Sequence, residues 1–353
     1  MFPMKVLAQK RDKNTVVLEI EADYSDFQKS FEKAMTEAGQ EIRLPGFRPG
    51  KAPRKLIEGS LNLAAVEQHA AQELISELYP SIIAETKIEP VDYPSVEIIR
   101  QAKDQPFVFK LTVEVYPEVK LGKYKGLKLE KQPAEVPEAD VLAALGRLQE
   151  RVATVDAEGK KVLSPLGDEF AKKVSRYGTL AELKAELLRV MSEEKTAEAE
   201  ADLRNQAIAA AGEDAKIEIP KAMIGREVEV MIDELSASLA QSGLTLEQYL
   251  QGAKKEATAL REELKKSAEI RVKGKLILKA VAAAEKLTVT PEELAAEVKT
   301  MAESYGQEAA AAERQLNEGG RAYIEEYLLR KQALDWLIGH AAVKEAKEKE
   351  AKS

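Results

Sequence analysis

The chain has 353 residues, a formal net charge of −8, 32% charged residues and only 5% aromatic residues. This length predicts two or three domains, and the negative charge argues against general binding to a nucleic-acid backbone. The absence of cysteine excludes disulfides, thiolate zinc sites and cysteine nucleophiles. The two histidines, His69 and His340, are far apart in the sequence, so we expect structural or surface roles for both and no metal site.

The start of the chain has no apolar segment of the kind that directs secretion, because Lys5, Lys10 and Lys13 interrupt it. No later run approaches the ~18 apolar residues that a membrane span requires. We therefore expect a soluble protein of the cytoplasm with no membrane partner.

Residues 1–115 are predicted to form an α+β domain. Val16, Leu18 and Ile20 alternate with Val17, Glu19 and Glu21, which predicts a half-buried strand with residues 4–9 as its hairpin partner. Two stretches with helical spacing and one further alternating stretch follow. Their apolar members are Phe27, Phe31, Ala34, Met35 and Ala38, then Leu63, Val66, Ala70, Leu74 and Leu78, and finally Phe107, Phe109, Leu111, Val113 and Val115. Strands with helices on one face predict an open α+β sandwich.

The middle of the chain is more polar. Residues 116–152 are predicted to be an extended connection followed by a helix that begins at Pro137. Residues 153–167 contain Gly159, Pro165 and Gly167, which predicts a polar linker.

Residues 168–353 are predicted to be entirely helical. Capping-box pairs, in which a threonine is followed three residues later by Glu or Gln, mark helix starts at Thr179, Thr245 and Thr290. The first of these helices could reach Ala211, a length of roughly 50 Å. The apolar stripes are narrow, which favours extended helical arms, with an ordinary helical bundle as the alternative. We expect the charged tail, residues 344–353, to fray.

Residues 43–55 form a basic segment, Arg-Leu-Pro-Gly-Phe-Arg-Pro-Gly-Lys-Ala-Pro-Arg-Lys, with no acidic residue between Glu41 and Glu58. Its prolines and glycines predict a loop between two helices, and its cations suit an anionic partner. Phe47 could anchor the loop in an apolar pocket, or it could pack back onto its own core. The segment is not a phosphate-binding loop, because Ala52 stands where Ser or Thr should hold magnesium.

The residues from Gly46 to Pro53 resemble the Gly-Phe-Arg-x-Gly-Lys-x-Pro signature of the bacterial trigger factor family of ribosome-associated chaperones. Asp168–Lys172 and Ile219–Ile224 resemble further segments of the family. The resemblance implies an α+β N-terminal ribosome-binding domain and an elongated all-α C-terminal chaperone domain with two helical arms. It also implies docking at the tunnel exit of the large ribosomal subunit, on a ribosomal protein and nearby ribosomal RNA. The implied docking residues are Gly46, Phe47, Arg48, Pro49, Gly50 and Lys51.

The resemblance further implies that the helical domain holds nascent and unfolded polypeptides and that the protein can form a homodimer away from the ribosome. Flexible and apolar side chains on the predicted helices are the candidate client-binding residues. They are Met223, Met231, Leu235, Leu239, Tyr249, Met301, Tyr305 and Tyr327. Because no nucleotide motif is visible, we expect action without ATP and without a cofactor.

Members of this family usually carry an FKBP-like prolyl-isomerase domain between their N-terminal and C-terminal parts. Only the polar stretch near 153–168 occupies that place here, and after Phe109 the chain has one phenylalanine, Phe170, and one tryptophan, Trp336, to line such a pocket. We therefore predict that the isomerase domain is missing and that the protein is not an enzyme. A prolyl isomerase and a purely structural helical adaptor remain the competing interpretations.

Overall fold

The structure is a computed structural model that describes residues 4–42, 47, 53–155, 160–304, 313, 316 and 318–346. The chain divides into two compact units. The first contains residues 1–118 and 217–273, and the second contains residues 119–216 and 274–353. The predicted boundaries of 1–115, 116–152, 153–167 and 168–353 stay predictions.

The N-terminal part of the first unit is a four-stranded sheet with three helices. Its elements are β1 (Met4–Asp12), β2 (Thr15–Ala22), α1 (Tyr24–Glu41), α2 (Arg54–Ser60), α3 (Leu63–Thr86), β3 (Ser95–Arg100) and β4 (Phe107–Glu114). The strand order is β1-β2-β4-β3, and every neighbouring pair is antiparallel. The predicted hairpin, the two helices and the later strand are all confirmed.

The core of this part lies between the sheet and helices α1 and α3. Period-two alternation places Val16, Leu18 and Ile20 of β2 on the buried face, opposite Val113, Leu111 and Phe109 of β4. Helix α3 closes the core with one apolar stripe, which includes Leu74 and Leu78. An α+β sandwich with helices on one face follows from these patterns.

The rest of the chain is mostly helical, which confirms the predicted fold class. Its helices are α4 (Glu138–Arg151), α5 (Asp168–Val174), α6 (Leu180–Ala211), α7 (Lys221–Gln241), α8 (Leu246–Ala253), α9 (Ala257–Ala284), α10 (Pro291–Ser304) and α11 (Glu318–Gly339). The predicted capping boxes are present at Thr179 and Thr245, and Thr290 exchanges the corresponding hydrogen bonds with Glu293. The starts of α6, α8 and α10 are therefore encoded locally.

Among the described residues, four short strands lie outside the N-terminal sheet. They are β5 (Lys128–Lys131), β6 (Thr154–Val155), β7 (Lys161–Val162) and β8 (Ala342–Glu345). The antiparallel pair β6–β7 lies within the stretch that was predicted to be a linker. Strand β8 pairs in parallel with β5, so the prediction of a fraying tail was wrong for Lys344 and Glu345. Backbone pairing with a distant segment orders these residues.

We call residues 217–273 of the first unit the arm. It comprises α7, α8 and the part of α9 that ends at Lys273. The arm begins beside the sheet, where Lys13 of the β1–β2 turn forms a 2.9 Å ion pair with Glu218. The Glu114 carboxylate accepts a 3.3 Å hydrogen bond from the backbone N–H of Ala222. The first N–H groups of a helix have no partner within the helix, and the residue before α7, Pro220, has no side-chain group that could accept from them. The Glu114 side chain of β4 accepts from one of them instead.

Candidate functional site

The two helices that flank the basic loop are packed against each other. Helix α1 ends at Glu41, and the N–H of Ile42 donates to the carbonyl of Ala38. Helix α2 begins after Pro53, whose carbonyl accepts from the N–H of Leu56. A Cβ placed on Gly39 would be 3.2 Å from Cγ2 of Ile57, so α1 and α2 approach closely at this glycine. The loop therefore starts and ends on two helices that are packed against each other.

Phe47 is the one predicted docking residue that the structure describes. Its side chain is 43% exposed, and it is not a member of the described core between the sheet and the helices. The other predicted docking residues, Gly46, Arg48, Pro49, Gly50 and Lys51, lie outside the described residues. An exposed phenylalanine in a Pro/Gly-rich segment is the arrangement that a docking anchor requires.

The arm carries five of the predicted client-binding residues. Met223, Met231, Leu235 and Leu239 of α7 are half-buried, and Tyr249 of α8 is exposed. In this part of the chain the buried hydrophobic residues are Val228, Leu260, Ala268 and Val272. The arm therefore keeps most of its larger apolar side chains in partial contact with water.

Ion pairs on the arm connect α7 to α9. Arg261 forms a two-point contact with Glu229, and one of its two hydrogen bonds measures 3.0 Å. Arg271 donates two hydrogen bonds of 2.9 Å to Glu234 and lies 3.4 Å from the buried Glu227. Hydrogen bonding to Glu234 raises the pKa of Arg271. Planar bidentate pairs add geometric specificity to the contact between α7 and α9, while much of the apolar surface of the arm stays accessible.

The sequence analysis missed several exposed apolar residues of the arm. Ile270 of α9 is 71% exposed, and Val230 and Leu244 are also exposed. Ile270 stands between Glu269 and Arg271, off the buried stripe of its helix. An isoleucine isolated among charged residues is the signal that could have identified it.

The second unit contains the remaining predicted client-binding residues. Met301 of α10 is half-buried against a small core formed by Val298, Ile324 and Leu328. Tyr327 of α11 is exposed, and Tyr305 lies outside the described residues. Met301 therefore packs inside the α10–α11 pair, whereas Tyr327 is not among the side chains packed in that core. Tyr323, which the sequence analysis did not select, is also exposed.

A polar and aromatic cluster in the second unit surrounds Glu285, just beyond the end of α9. The Tyr124 hydroxyl donates a 2.7 Å hydrogen bond to Glu285, and Lys125 forms a 2.7 Å ion pair with the same carboxylate. The Lys125 ammonium also lies 5.2 Å from the ring centroid of Trp336, which stacks on His340. The Lys125 contact is the main cause that lowers the pKa of Glu285. This cluster links three segments of one unit and is a structural cross-link.

Across the described part of the chain, none of the helices has the length and apolar content needed to cross a membrane.

Two family models match the chain. One is described as bacterial trigger factor protein and matches residues 4–148, and the other is described as the C-terminus of the same protein and matches residues 179–339. Residues 149–178, which contain β6, β7 and α5, lie between the two matches.

Curated relatives cover almost the whole chain. The trigger factor of Moorella thermoacetica is 30% identical over 425 residues, which cover 96% of this chain and 95% of the relative. The trigger factor of Bacillus cereus strain B4264 is 32% identical over 422 residues, covering 95% and 99% of the two chains. Both alignments are longer than the 353 residues of this chain. The relatives therefore carry residues that have no counterpart here.

A solved structure titled "Promiscuous Substrate Recognition in Folding and Assembly Activities of the Trigger Factor Chaperone" has a similar fold. It covers 96% of this chain and 99% of its own, with a TM-score of 0.53 and 22% sequence identity. The family models and the curated relatives confirm the family resemblance predicted from the loop signature.

Proposed function

The chain belongs to the bacterial trigger factor family of ribosome-associated chaperones. From that premise we propose one function for its N-terminal α+β part and another for its helical part. The N-terminal α+β part docks at the tunnel exit of the large ribosomal subunit. The helical part holds nascent or unfolded chains in a cradle of helices without ATP. Since ribosomes are its docking site, we place its action in the cytoplasm.

The exposed ring of Phe47 is the observation that carries the docking proposal. A ring that is already outside its own core can enter a pocket on a ribosomal protein without first unfolding the domain. The neighbouring Arg48 and Lys51 supply the charge for ribosomal RNA or for acidic side chains. The packed helices α1 and α2 hold both ends of the loop, which lowers the entropy lost on docking.

Half-buried apolar residues of the arm support the client-binding proposal. Methionine is flexible and polarisable, so Met223 and Met231 suit clients of varied sequence. Leu235, Leu239 and Tyr249 extend this surface along α7 and α8. Docking at the tunnel exit raises the local concentration of nascent chains, so weak individual contacts suffice. We exclude Met301 from the main binding surface because it already packs against the α10–α11 core.

We propose that the protein has no prolyl-isomerase activity. The residues between the two family matches, 149–178, are fewer than an independently folded domain normally needs. They are also occupied by the short pair β6–β7 and by helix α5, whose Phe170 is buried in a cluster with Leu145 and Leu183. An assay of cis/trans exchange in an X–Pro peptide tests this, since the uncatalysed step takes tens of seconds or more.

Co-sedimentation with purified ribosomes tests the docking proposal. We compare the wild type with a variant that combines Phe47→Ala, Arg48→Ala and Lys51→Ala. A matched control combines Tyr93→Ala, Lys10→Ala and Lys103→Ala, which removes one exposed aromatic ring and two exposed cations elsewhere in the same unit. We expect the loop variant to lose binding and the control to keep it. Equal binding by all three proteins would refute docking through the loop.

Light scattering from an aggregating, denatured client tests the holding function. The wild type should suppress aggregation in proportion to its concentration, whereas a structural adaptor protein would have no effect. The double variant Leu235→Ser and Tyr249→Ser should suppress it less well while still binding ribosomes, because its loop is intact. The family resemblance also implies a homodimer away from the ribosome, and sedimentation of the free protein over a concentration series tests it.

A further inference from the structure

Three side chains with metal-binding groups meet between α1 and α3, in the first unit. One ligand atom from each of Glu37, His69 and Glu73 lies within 4.8 Å of the corresponding atoms of the other two. His69 Nε2 is 3.9 Å from a Glu37 oxygen. This group plays no part in the proposed docking or client binding, and the sequence analysis assigned His69 a surface or structural role.

The helix register explains why the three residues meet. His69 and Glu73 are four residues apart on α3, so they project from the same face of that helix. Lys33 pairs with Glu73 and Glu37 pairs with His69, which shows that α1 and α3 run antiparallel with a matched four-residue spacing. One side chain of α1 and two side chains of α3 thus meet at the contact between the two helices.

A second observation at the same place concerns Glu73. Within the described residues, its Oε2 atom is buried and has no hydrogen-bond partner, while its Oε1 atom is bound by Lys33. A buried carboxylate oxygen without a partner costs free energy unless a cation or a donor reaches it. Glu73 therefore has one carboxylate oxygen without a partner in the same cluster as His69 and Glu37.

We propose that Glu37, His69 and Glu73 bind a divalent transition-metal ion, with Zn²⁺ as the best fit. One imidazole and two carboxylates form a borderline donor set that favours zinc, cobalt or nickel over magnesium. Three protein ligands leave a further position for water. A tetrahedral ion with bonds of about 2.1 Å needs ligand atoms about 3.4 Å apart, so the site must close slightly. The side chains of Glu37 and His69 are 52% and 62% exposed, and they can rotate to do this.

Lys33 competes with the metal ion for the Glu73 carboxylate. Its ammonium group holds one oxygen of Glu73, and its charge repels a metal cation at the same carboxylate. Removing this charge should therefore tighten metal binding. A mutation that only damaged the helix pair would weaken it.

Calorimetric titration of the full-length, tag-free, metal-stripped protein with Zn²⁺ tests the proposal. We expect one saturable site, and Co²⁺ at that site should give visible absorption bands that Mg²⁺ does not abolish. His69→Gln and Glu37→Gln should each weaken binding by about tenfold or more. His340→Gln removes the one other histidine of the chain and is the matched control, which should bind as the wild type does.

The variant Lys33→Met provides an independent test, because it leaves all three ligands in place. We expect it to bind Zn²⁺ more tightly than the wild type, with the same stoichiometry and the same Co²⁺ spectrum. The proposal is overturned if the wild type and His69→Gln bind Zn²⁺ equally, if the wild type does not saturate, or if Lys33→Met weakens binding.

Discussion

The N-terminal sheet and the arm belong to the same compact unit, but they are stabilised in different ways. The sheet and its helices enclose a continuous core in which Leu18, Leu74 and Phe109 have no exposed surface. The arm has few buried apolar residues, and bidentate arginine–carboxylate pairs connect its long helices. This difference matches the functions that we propose for the two regions, docking for the α+β part and binding of varied clients for the arm.

The largest effect that separates the two regions should come from deleting apolar side chains. Leu18→Ala should lower the free energy of unfolding by about 2–5 kcal/mol, because it leaves a cavity in a closed core. Leu235→Ala, on the half-buried face of α7, should cost about 1 kcal/mol or less. Amide hydrogen exchange in β2 and in α7 measures the two losses locally. Equal losses would show that the arm has a closed core of its own.

A smaller effect is expected at the start of α8. Thr245 accepts a hydrogen bond from the N–H of Gln248, and the Gln248 side chain accepts one from the N–H of Thr245. Thr245→Ala should cost about 1 kcal/mol and increase amide exchange in the first turn of α8, with no change in the sheet. Thr245→Ser keeps the hydroxyl and is the matched control. Increased exchange throughout the sheet would contradict the separation of the two regions.

The ion pairs of the arm should contribute less to its stability than the Thr245 cap does. Glu234→Gln breaks a bidentate but partly exposed pair with Arg271, so we expect a loss of less than about 1 kcal/mol. Exchange in α7 should rise at low ionic strength, and the difference from the wild type should shrink in high salt. Asp233→Asn changes a neighbouring exposed acid and serves as the control. A loss that does not depend on salt would indicate an apolar contact.

The cluster around Glu285 in the second unit should lose stability in acid, whereas the apolar core of the sheet should not respond to pH. The pKa of Glu285 is lowered in the folded state, chiefly by Lys125, below its ordinary value of 4.5. Its contribution to stability is therefore present above about pH 4.5, and it is lost as the pH falls through the lowered pKa. Trp336, the single tryptophan, lies in the same cluster, so its fluorescence should report the loosening. Glu285→Gln should reduce this acid response, and an unchanged response would contradict it.

Much of the fold could be predicted because its signals are local. The alternation of Val16, Leu18 and Ile20 predicted β2, and threonine capping boxes predicted where α6 and α8 begin. The exposure of the candidate client-binding residues could not be predicted in this way. Met301 and Tyr327 both lie on apolar stripes, but Met301 packs against a neighbouring helix and Tyr327 is exposed. Periodicity identifies an apolar face and does not say what covers it.

The sequence by itself determined the fold class, the helix starts and the family, since these depend on residues that are neighbours along the chain. Tertiary structure decided which distant residues meet. It paired β8 with β5, oriented Glu114 of β4 towards the first turn of α7, and brought Glu37 to His69 and Glu73. Such contacts depend on the register between separate elements, which no local pattern specifies.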